Sequence, residues 1–122
     1  KIIFCIGETL KERRAKKTNY ILKKQIEKGL KSIMNKSKII IAYEPVWSIG
    51  TGVIPKEAAL TETISYIKSR FIKKYPIILY GGSVNSNNAE KLKKIPNING
   101  FLIGGASQNS KKFIDIIKKT IN

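Results

Sequence analysis

The sequence has no histidine and a single cysteine among its 122 residues. One cysteine cannot form an internal disulfide, and without an imidazole in the chain its thiol has no partner to activate it as a nucleophile. We therefore expect Cys5 to be a small buried hydrophobe. Paired metal ligands are also missing from the sequence, and we expect neither a metal nor a cofactor.

Long apolar runs are missing too, since no stretch of the sequence is long enough to cross a bilayer. No leader signature opens the chain, which starts at Lys1 and proceeds at once into an apolar run. We interpret this start as a position within a longer protein. We expect a cytoplasmic protein of globular composition, with 42% hydrophobic residues and no membrane partner.

Acidic residues are scarce, with 8 Asp and Glu against 24 Lys and Arg, which gives a formal net charge of +16. Such a balance suits a basic nucleic-acid-binding module, because Lys and Arg neutralise phosphates. Arginine, the usual base-reading residue, occurs at three positions only. The lysines occur as dispersed pairs: Lys16-Lys17, Lys23-Lys24, Lys73-Lys74, Lys93-Lys94, Lys111-Lys112 and Lys118-Lys119. We favour the composition of a low-GC genome over a binding surface, and expect no nucleic acid partner.

Four short β-branched runs are each followed by a segment with helical spacing, which predicts four βα units. The predicted strands are Ile2–Ile6, Ile39–Tyr43, Ile77–Tyr80 and 101–103. Their continuous apolar character predicts parallel strands buried on both faces, an α/β fold. This pattern fits either a doubly wound sheet or half of a (β/α)₈ barrel. We treat residues 1–122 as a single partial domain.

The helical segments carry apolar stripes that would face the sheet. The stripes are Leu22, Ile26, Leu30 and Ile33, then Leu60, Ile64, Ile67 and Phe71, then Phe113, Ile116 and Ile117. Pro55 is expected in the first turn of the second segment, and Ser110 as the N-cap of the last. A short third helix is expected over 87–95.

The informative residues follow the predicted strands, at the edge where α/β folds bind ligands. Residues 42–52 read AYEPVWSIGTG, residues 5–8 CIGE, residues 80–84 YGGSV and residues 100–107 GFLIGGAS. Taken in chain order, residues 5–8, 42–52, 80–84 and 100–107 resemble strand ends five, six, seven and eight of the triosephosphate isomerase family, and 42–52 includes its flexible lid. The resemblance covers essentially the whole chain and implies the C-terminal half of a TIM barrel, four parallel βα units.

The resemblance implies that Glu44 is the catalytic base of an isomerase that interconverts dihydroxyacetone phosphate and D-glyceraldehyde 3-phosphate in glycolysis and gluconeogenesis. A carboxylate enclosed by a lid that excludes water is suited to that task. Without its eleven-residue context, Glu44 would more simply cap a helix or pair with a lysine.

Four residues are expected to bind the substrate phosphate: Gly50, Ser83, Gly104 and Gly105. Glycine lets a backbone N–H approach an anion closely, and the last two precede a possible helix start. Taken alone, Gly81-Gly82 and Gly104-Gly105 would each suit a tight turn. Two such loops in consecutive βα units reproduce a phosphate site common to barrels.

Other positions carry weaker expectations. By resemblance, Trp47 lies at the first hinge of the lid and donates to Glu8 when the lid is open, although a core tryptophan is an equal alternative. Tyr80 would bond the closed lid. The second hinge reads Val53-Ile54-Pro55, where many family members have Lys-Thr-Ala.

The family's lysine and histidine, from its N-terminal half, have no counterpart here. We therefore expect this chain alone to be inactive or nearly so. For the full-length family, the resemblance implies a homodimer. The alternative is a non-catalytic phosphate-binding half-barrel fragment.

Overall fold

One parallel sheet of four strands organises the computed structural model, which describes residues 1–33, 36–71 and 75–121. The strands are β1 (Ile2–Ile6), β2 (Ile39–Tyr43), β3 (Ile77–Tyr80) and β4 (Gly100–Phe101). They lie in chain order, with β1 and β4 at the edges. The register places Cys5 beside Ala42, and Ala42 beside Leu79. The prediction of four parallel βα units is confirmed, with β4 starting one residue earlier and ending two residues earlier than expected.

Five α-helices follow or connect these strands in the described residues. They are α1 (Leu10–Arg14), α2 (Thr18–Gly29), α3 (Glu57–Ser69), α4 (Ala89–Lys93) and α5 (Ser110–Thr120). Short 3₁₀ turns occupy Lys36–Lys38, Val46–Ser48 and Gly105–Gln108. Helix α1 buries no residue, so no apolar stripe indicates it; Thr9 and Glu12 start it with reciprocal caps. None of the described helices is long and apolar enough to span a membrane.

Two expected helix starts are wrong. Pro55 precedes α3 rather than lying in its first turn, because Lys56 at the N-cap is still extended. The N-cap of α5 is Asn109, whose side chain accepts from the Lys112 backbone N–H at 3.0 Å, so Ser110 is the first helical residue. Helix α4 covers only part of the expected range 87–95.

The helices cover one face of the sheet and form the core with it. Tyr43 and Tyr80 are fully buried there, against apolar residues of α2, α3 and α4. On the opposite face β1 and the start of β3 are open, since Ile3 and Ile77 are 46% and 47% exposed. The expectation of strands buried on both faces therefore holds for β2 but not for β1. Cys5 is also exposed, so its prediction as a buried hydrophobe is wrong.

Candidate active site

A cavity of about 260 Å³ lies at the edge of the sheet where the strands end. Parallel strands bring the loops that follow them to the same edge, so segments distant in sequence meet there. The cavity lining includes all five residues selected from the sequence: Glu44, Gly50, Ser83, Gly104 and Gly105. The structure therefore brings the candidate base and the candidate phosphate-binding residues into one space.

The backbone of Glu44 is fixed by the loop after β1. Its N–H donates to the Ile6 carbonyl at 2.8 Å, which continues the pairing of β1 and β2 by one residue. Gly7 lies against the Glu44 carbonyl so closely that a Cβ on Gly7 would overlap it. The Gln25 side chain holds Gly7 through two hydrogen bonds of 2.9 Å, to its N–H and its carbonyl. Helix α2 thus positions the strand end that carries the carboxylate.

The carboxylate of Glu44 has two close neighbours. A Cβ on Gly81 would lie 2.7 Å from Glu44 Oε1, so the missing side chain at Gly81 leaves the space that the carboxylate occupies. The Cys5 thiol lies within the influence of the Glu44 carboxylate. Partial burial of the sulfur, followed by the interaction with the Glu44 side chain and its charge, raises the pKa of Cys5 to about 11. The thiol is therefore protonated at neutral pH and is a neighbour of Glu44 rather than a nucleophile.

Gly81→Ala is expected to displace the Glu44 carboxylate. For the reaction in which Glu44 is the base, it should lower kcat by roughly 10–100-fold, because an ångström of misplacement has effects of that size. The free energy of unfolding should fall by about 1 kcal/mol, the lower end of the range for overpacking, because the atoms in contact belong to a side chain rather than to backbone. Steady-state kinetics and thermal unfolding of the complete natural polypeptide measure both. Gly100→Ala, away from the cavity, is the matched control. A kcat within twofold of wild type would contradict the prediction.

Residues 46–54, here called the lid, pass over one side of the cavity. The lid touches the loop after β3, since the Gly52 N–H donates to Ser83 Oγ at 2.9 Å and Ser83 Oγ donates to the Ser48 carbonyl at 2.5 Å. Gly50 and Gly52 have φ of 68° and 77°, a conformation that suits glycine. Ser83 itself has φ of 50°, a strained value that its two hydrogen bonds stabilise.

Four residues that line the cavity have backbone N–H groups available as donors. In the described part of the chain, no hydrogen bond uses the N–H of Gly50, Ser83, Gly104 or Gly105. Gly104 and Gly105 lead into the 3₁₀ turn Gly105–Gln108, and the Ser107 N–H and hydroxyl both donate to the Gly104 carbonyl. Free amides that converge on a cavity suit an anion.

A buried carboxylate, Glu8, anchors the first end of the lid. It is fully buried and accepts from Arg13 at 2.8 Å, from the Tyr43 hydroxyl at 3.1 Å and from the Trp47 indole at 3.3 Å. The Arg13 guanidinium also lies 5.3 Å from the centre of the Trp47 ring. Burial, then the Glu8 charge, raises the pKa of Tyr43 above its usual range. The bond from Trp47 to Glu8, which the resemblance ties to an open lid, is present here together with the contact of Gly52 to Ser83, so in this structure it does not require the lid to leave Ser83.

Known proteins are similar to this chain over nearly its whole length. A family model described as Triosephosphate isomerase matches residues 1–120. The chain is 48% identical over 116 residues to Triosephosphate isomerase of Mycoplasma mobile, covering 95% of this chain and 48% of that protein. It is 44% identical to the protein of the same name from Thermodesulfovibrio yellowstonii and 43% identical to that from Borreliella burgdorferi, covering 97% and 98% of this chain and 50% and 51% of theirs.

The chain belongs to the triosephosphate isomerase family. It spans about half the length of the curated relatives it matches. The resemblance stated from the strand-end motifs is therefore confirmed, and so is the fold class, a parallel α/β arrangement that forms part of this family's barrel.

The structure also shows contacts around the site that the motifs did not reveal. Gln25 bonds Gly7, which packs on the Glu44 backbone, Ser48 bonds Val53 within the lid, and Cys5 lies near the Glu44 carboxylate. Ser48 carried a signal, because it is a hydroxyl placed among the apolar residues of the lid's first end. Pro55, at the second end, has no N–H, so that position cannot donate a hydrogen bond to the lid's neighbours.

No cluster of three metal-ligating side chains occurs within residues 1–33, 36–71 and 75–121.

Proposed function

We propose that these residues are strands five to eight of a barrel enzyme that interconverts dihydroxyacetone phosphate and D-glyceraldehyde 3-phosphate. The observation that carries the proposal is the shared cavity, which is lined both by Glu44 and by residues whose backbone amides have no hydrogen-bond partner within the described residues. The family name of the relatives supports the reaction. Under this proposal residues 1–122 are one partial domain, half of the barrel.

Glu44 acts as the base in this reaction. Its carboxylate removes a proton from the carbon next to the substrate carbonyl; the electron pair of that C–H bond becomes a C=C bond and the carbonyl π pair moves to the oxygen, which gives an enediolate. The carboxylic acid then returns a proton to the former carbonyl carbon, while the hydroxyl proton of the first carbon is transferred to the former carbonyl oxygen, which yields the other isomer. The position of Glu44 at the end of β2, fixed by Ile6 and Gly7, holds the carboxylate at one place during both steps.

The phosphate of the substrate binds to the amides of Gly50, Ser83, Gly104 and Gly105. Backbone N–H groups suit a dianion because they are rigid donors that need no reorganisation. The contact of Gly52 with Ser83 brings the lid, and with it Gly50, against the other phosphate-binding loops. Binding of the phosphate and closure of the lid are thus linked.

The other half of the barrel supplies what this chain lacks. Glu44 needs an electrophilic partner that stabilises charge on the substrate oxygens, commonly a dominant catalytic contribution. No histidine is available in these residues. We therefore infer that the complete polypeptide is active, as a cytoplasmic homodimer, and that residues 1–122 alone turn over substrate poorly or not at all. Neither a metal nor a cofactor takes part in the proposed reaction.

The test is an isomerase assay on the complete natural polypeptide that contains these residues, run in D₂O with dihydroxyacetone phosphate as substrate. Turnover is expected, with deuterium at the carbon that receives the proton, because a carboxylic acid exchanges its proton with solvent. NMR of the product measures this. Residues 1–122 alone serve as the comparison.

Other outcomes separate the alternatives. Binding of inorganic phosphate without turnover by the complete polypeptide would favour a non-catalytic phosphate-binding protein and overturn the proposal. Affinity for DNA or RNA that falls steeply with salt, again without turnover, would favour the basic nucleic-acid-binding module.

A further inference from the structure

Ser48 lies where the two ends of the lid meet. Its side chain is fully buried, and its Oγ donates to the carbonyl of Val53, at the other end of the lid, at 2.5 Å. The same Oγ lies 3.1 Å from the hydroxyl of Tyr80, the last residue of β3. One hydroxyl therefore contacts both ends of the lid and the sheet beneath it.

The directions of these bonds follow from the chemistry of the groups. The Val53 carbonyl is only an acceptor, so the Ser48 proton points to it, and the Tyr80 hydroxyl is then the donor to Ser48 Oγ. Burial raises the pKa of Tyr80, which keeps this phenol protonated and able to donate. The result is a chain of donors from Tyr80 through Ser48 to Val53.

The surrounding backbone leaves room for this chain. Gly82 has φ of 155°, and a Cβ there would lie 2.7 Å from Ser48 Oγ and 2.9 Å from the Tyr80 hydroxyl. Ser48 also accepts, through its own carbonyl, the hydrogen bond from Ser83 Oγ. Tyr80 at the end of β3 and Ser83 in the loop that follows thus hold Ser48 at two atoms, its Oγ and its carbonyl.

We propose that Ser48 is a positioning residue that holds the lid closed over the phosphate-binding amides, by joining both ends of the lid to Tyr80. The inference deepens the proposed function and rests on it for the identity of the bound group, a phosphate. It concerns the closed state of the lid rather than the proton transfer, so Ser48 itself need not touch the substrate.

The experiment uses Trp47, the only tryptophan of these residues and the neighbour of Ser48 in the lid. The complete polypeptide is labelled with 5-fluorotryptophan, and the Trp47 resonance is assigned by Trp47→Phe. Inorganic phosphate is titrated into wild type, Ser48→Ala, Tyr80→Phe and the double variant. Ser69→Ala is the control, since it removes an exposed hydroxyl bonded only to the Tyr66 carbonyl.

Ser48→Ala is expected to weaken phosphate binding roughly tenfold, because Tyr80 and the Val53 carbonyl lose the partner that the proposal assigns to the closed lid. At the same phosphate concentration, the Trp47 resonance of Ser48→Ala should lie closer to its phosphate-free position than the wild-type resonance does. Tyr80→Phe should have a similar effect, and the double variant should be no worse than the more affected single variant, the signature of one shared interaction. Ser69→Ala should match wild type.

A midpoint of the phosphate titration within twofold of wild type in Ser48→Ala would overturn the inference. Additive effects in the double variant would also overturn it, as would a wild-type Trp47 resonance that does not change when phosphate is added. Should Ser48→Ala unfold, Tyr80→Phe keeps the buried ring and tests the same bond. Failure of the proposed function would be recognised separately, as an intact Trp47 response to phosphate without any isomerase turnover.

Discussion

Glu44→Asp is expected to lower kcat for triose phosphate interconversion by roughly 10²–10⁴-fold in the complete polypeptide. Aspartate keeps the charge but is one methylene shorter, so its carboxylate withdraws from the cavity by about an ångström and loses hydrogen-bond reach to the substrate C–H. Phosphate binding should stay within about twofold of wild type, because Ser83 and Gly104 are on other loops and the substitution leaves the backbone amide of Gly50 unchanged. Steady-state kinetics and the Trp47 titration measure the two effects independently.

Glu90→Asp is the matched control for this substitution. Glu90 lies in α4 on the protein surface, and its contact with Lys94 at 3.9 Å is solvent-exposed, so shortening it should change neither kcat nor stability measurably. Full activity of Glu44→Asp would remove Glu44 from its proposed role as the base. An equal loss in both variants would instead indicate a general response to acidic substitutions.

The strands could be predicted from the sequence because their signal is local. β1, β2 and β3 have the predicted bounds, since each is a short apolar run rich in β-branched and aromatic residues. Gly7, Glu44 and Gly81 follow them directly. β4 differs because its length is set by its partner. Gly100 pairs with Leu79 and Phe101 with Tyr80, and there β3 ends, so the apolar residues that follow have no strand to pair with.

The residues lining the cavity could be predicted because parallel strands bring their following loops together whatever the details of packing. The contacts that hold those residues could not. Gln25 reaches Gly7 across 18 positions, and Ser48 reaches Tyr80 across 32, so neither bond has a signature in local spacing. The exposure of Cys5 was missed for a related reason, because an apolar strand predicts a buried face but not which part of the protein covers it.

Gly7→Ala is expected to lower the free energy of unfolding by about 3 kcal/mol, the upper part of the range for overpacking. A Cβ there would overlap the Glu44 carbonyl oxygen and lie 2.6 Å from its carbonyl carbon, so backbone rather than a side chain must move. Movement also breaks the bond from the Glu44 N–H to the Ile6 carbonyl. Thermal unfolding should show a fall in Tm of roughly 6–12 °C for a chain of 150–250 residues.

Gly105→Ala separates this steric effect from the general consequences of replacing glycine. Nothing lies within 4 Å of a Cβ on Gly105, so its Tm should stay close to wild type. A Gly7→Ala variant as stable as Gly105→Ala would show that the loop after β1 does not pack on the Glu44 backbone. Gly81→Ala completes the comparison, because its added methyl meets the Glu44 side chain and should reduce activity more than stability. The three glycines therefore distinguish packing on the backbone of the base from packing on its carboxylate.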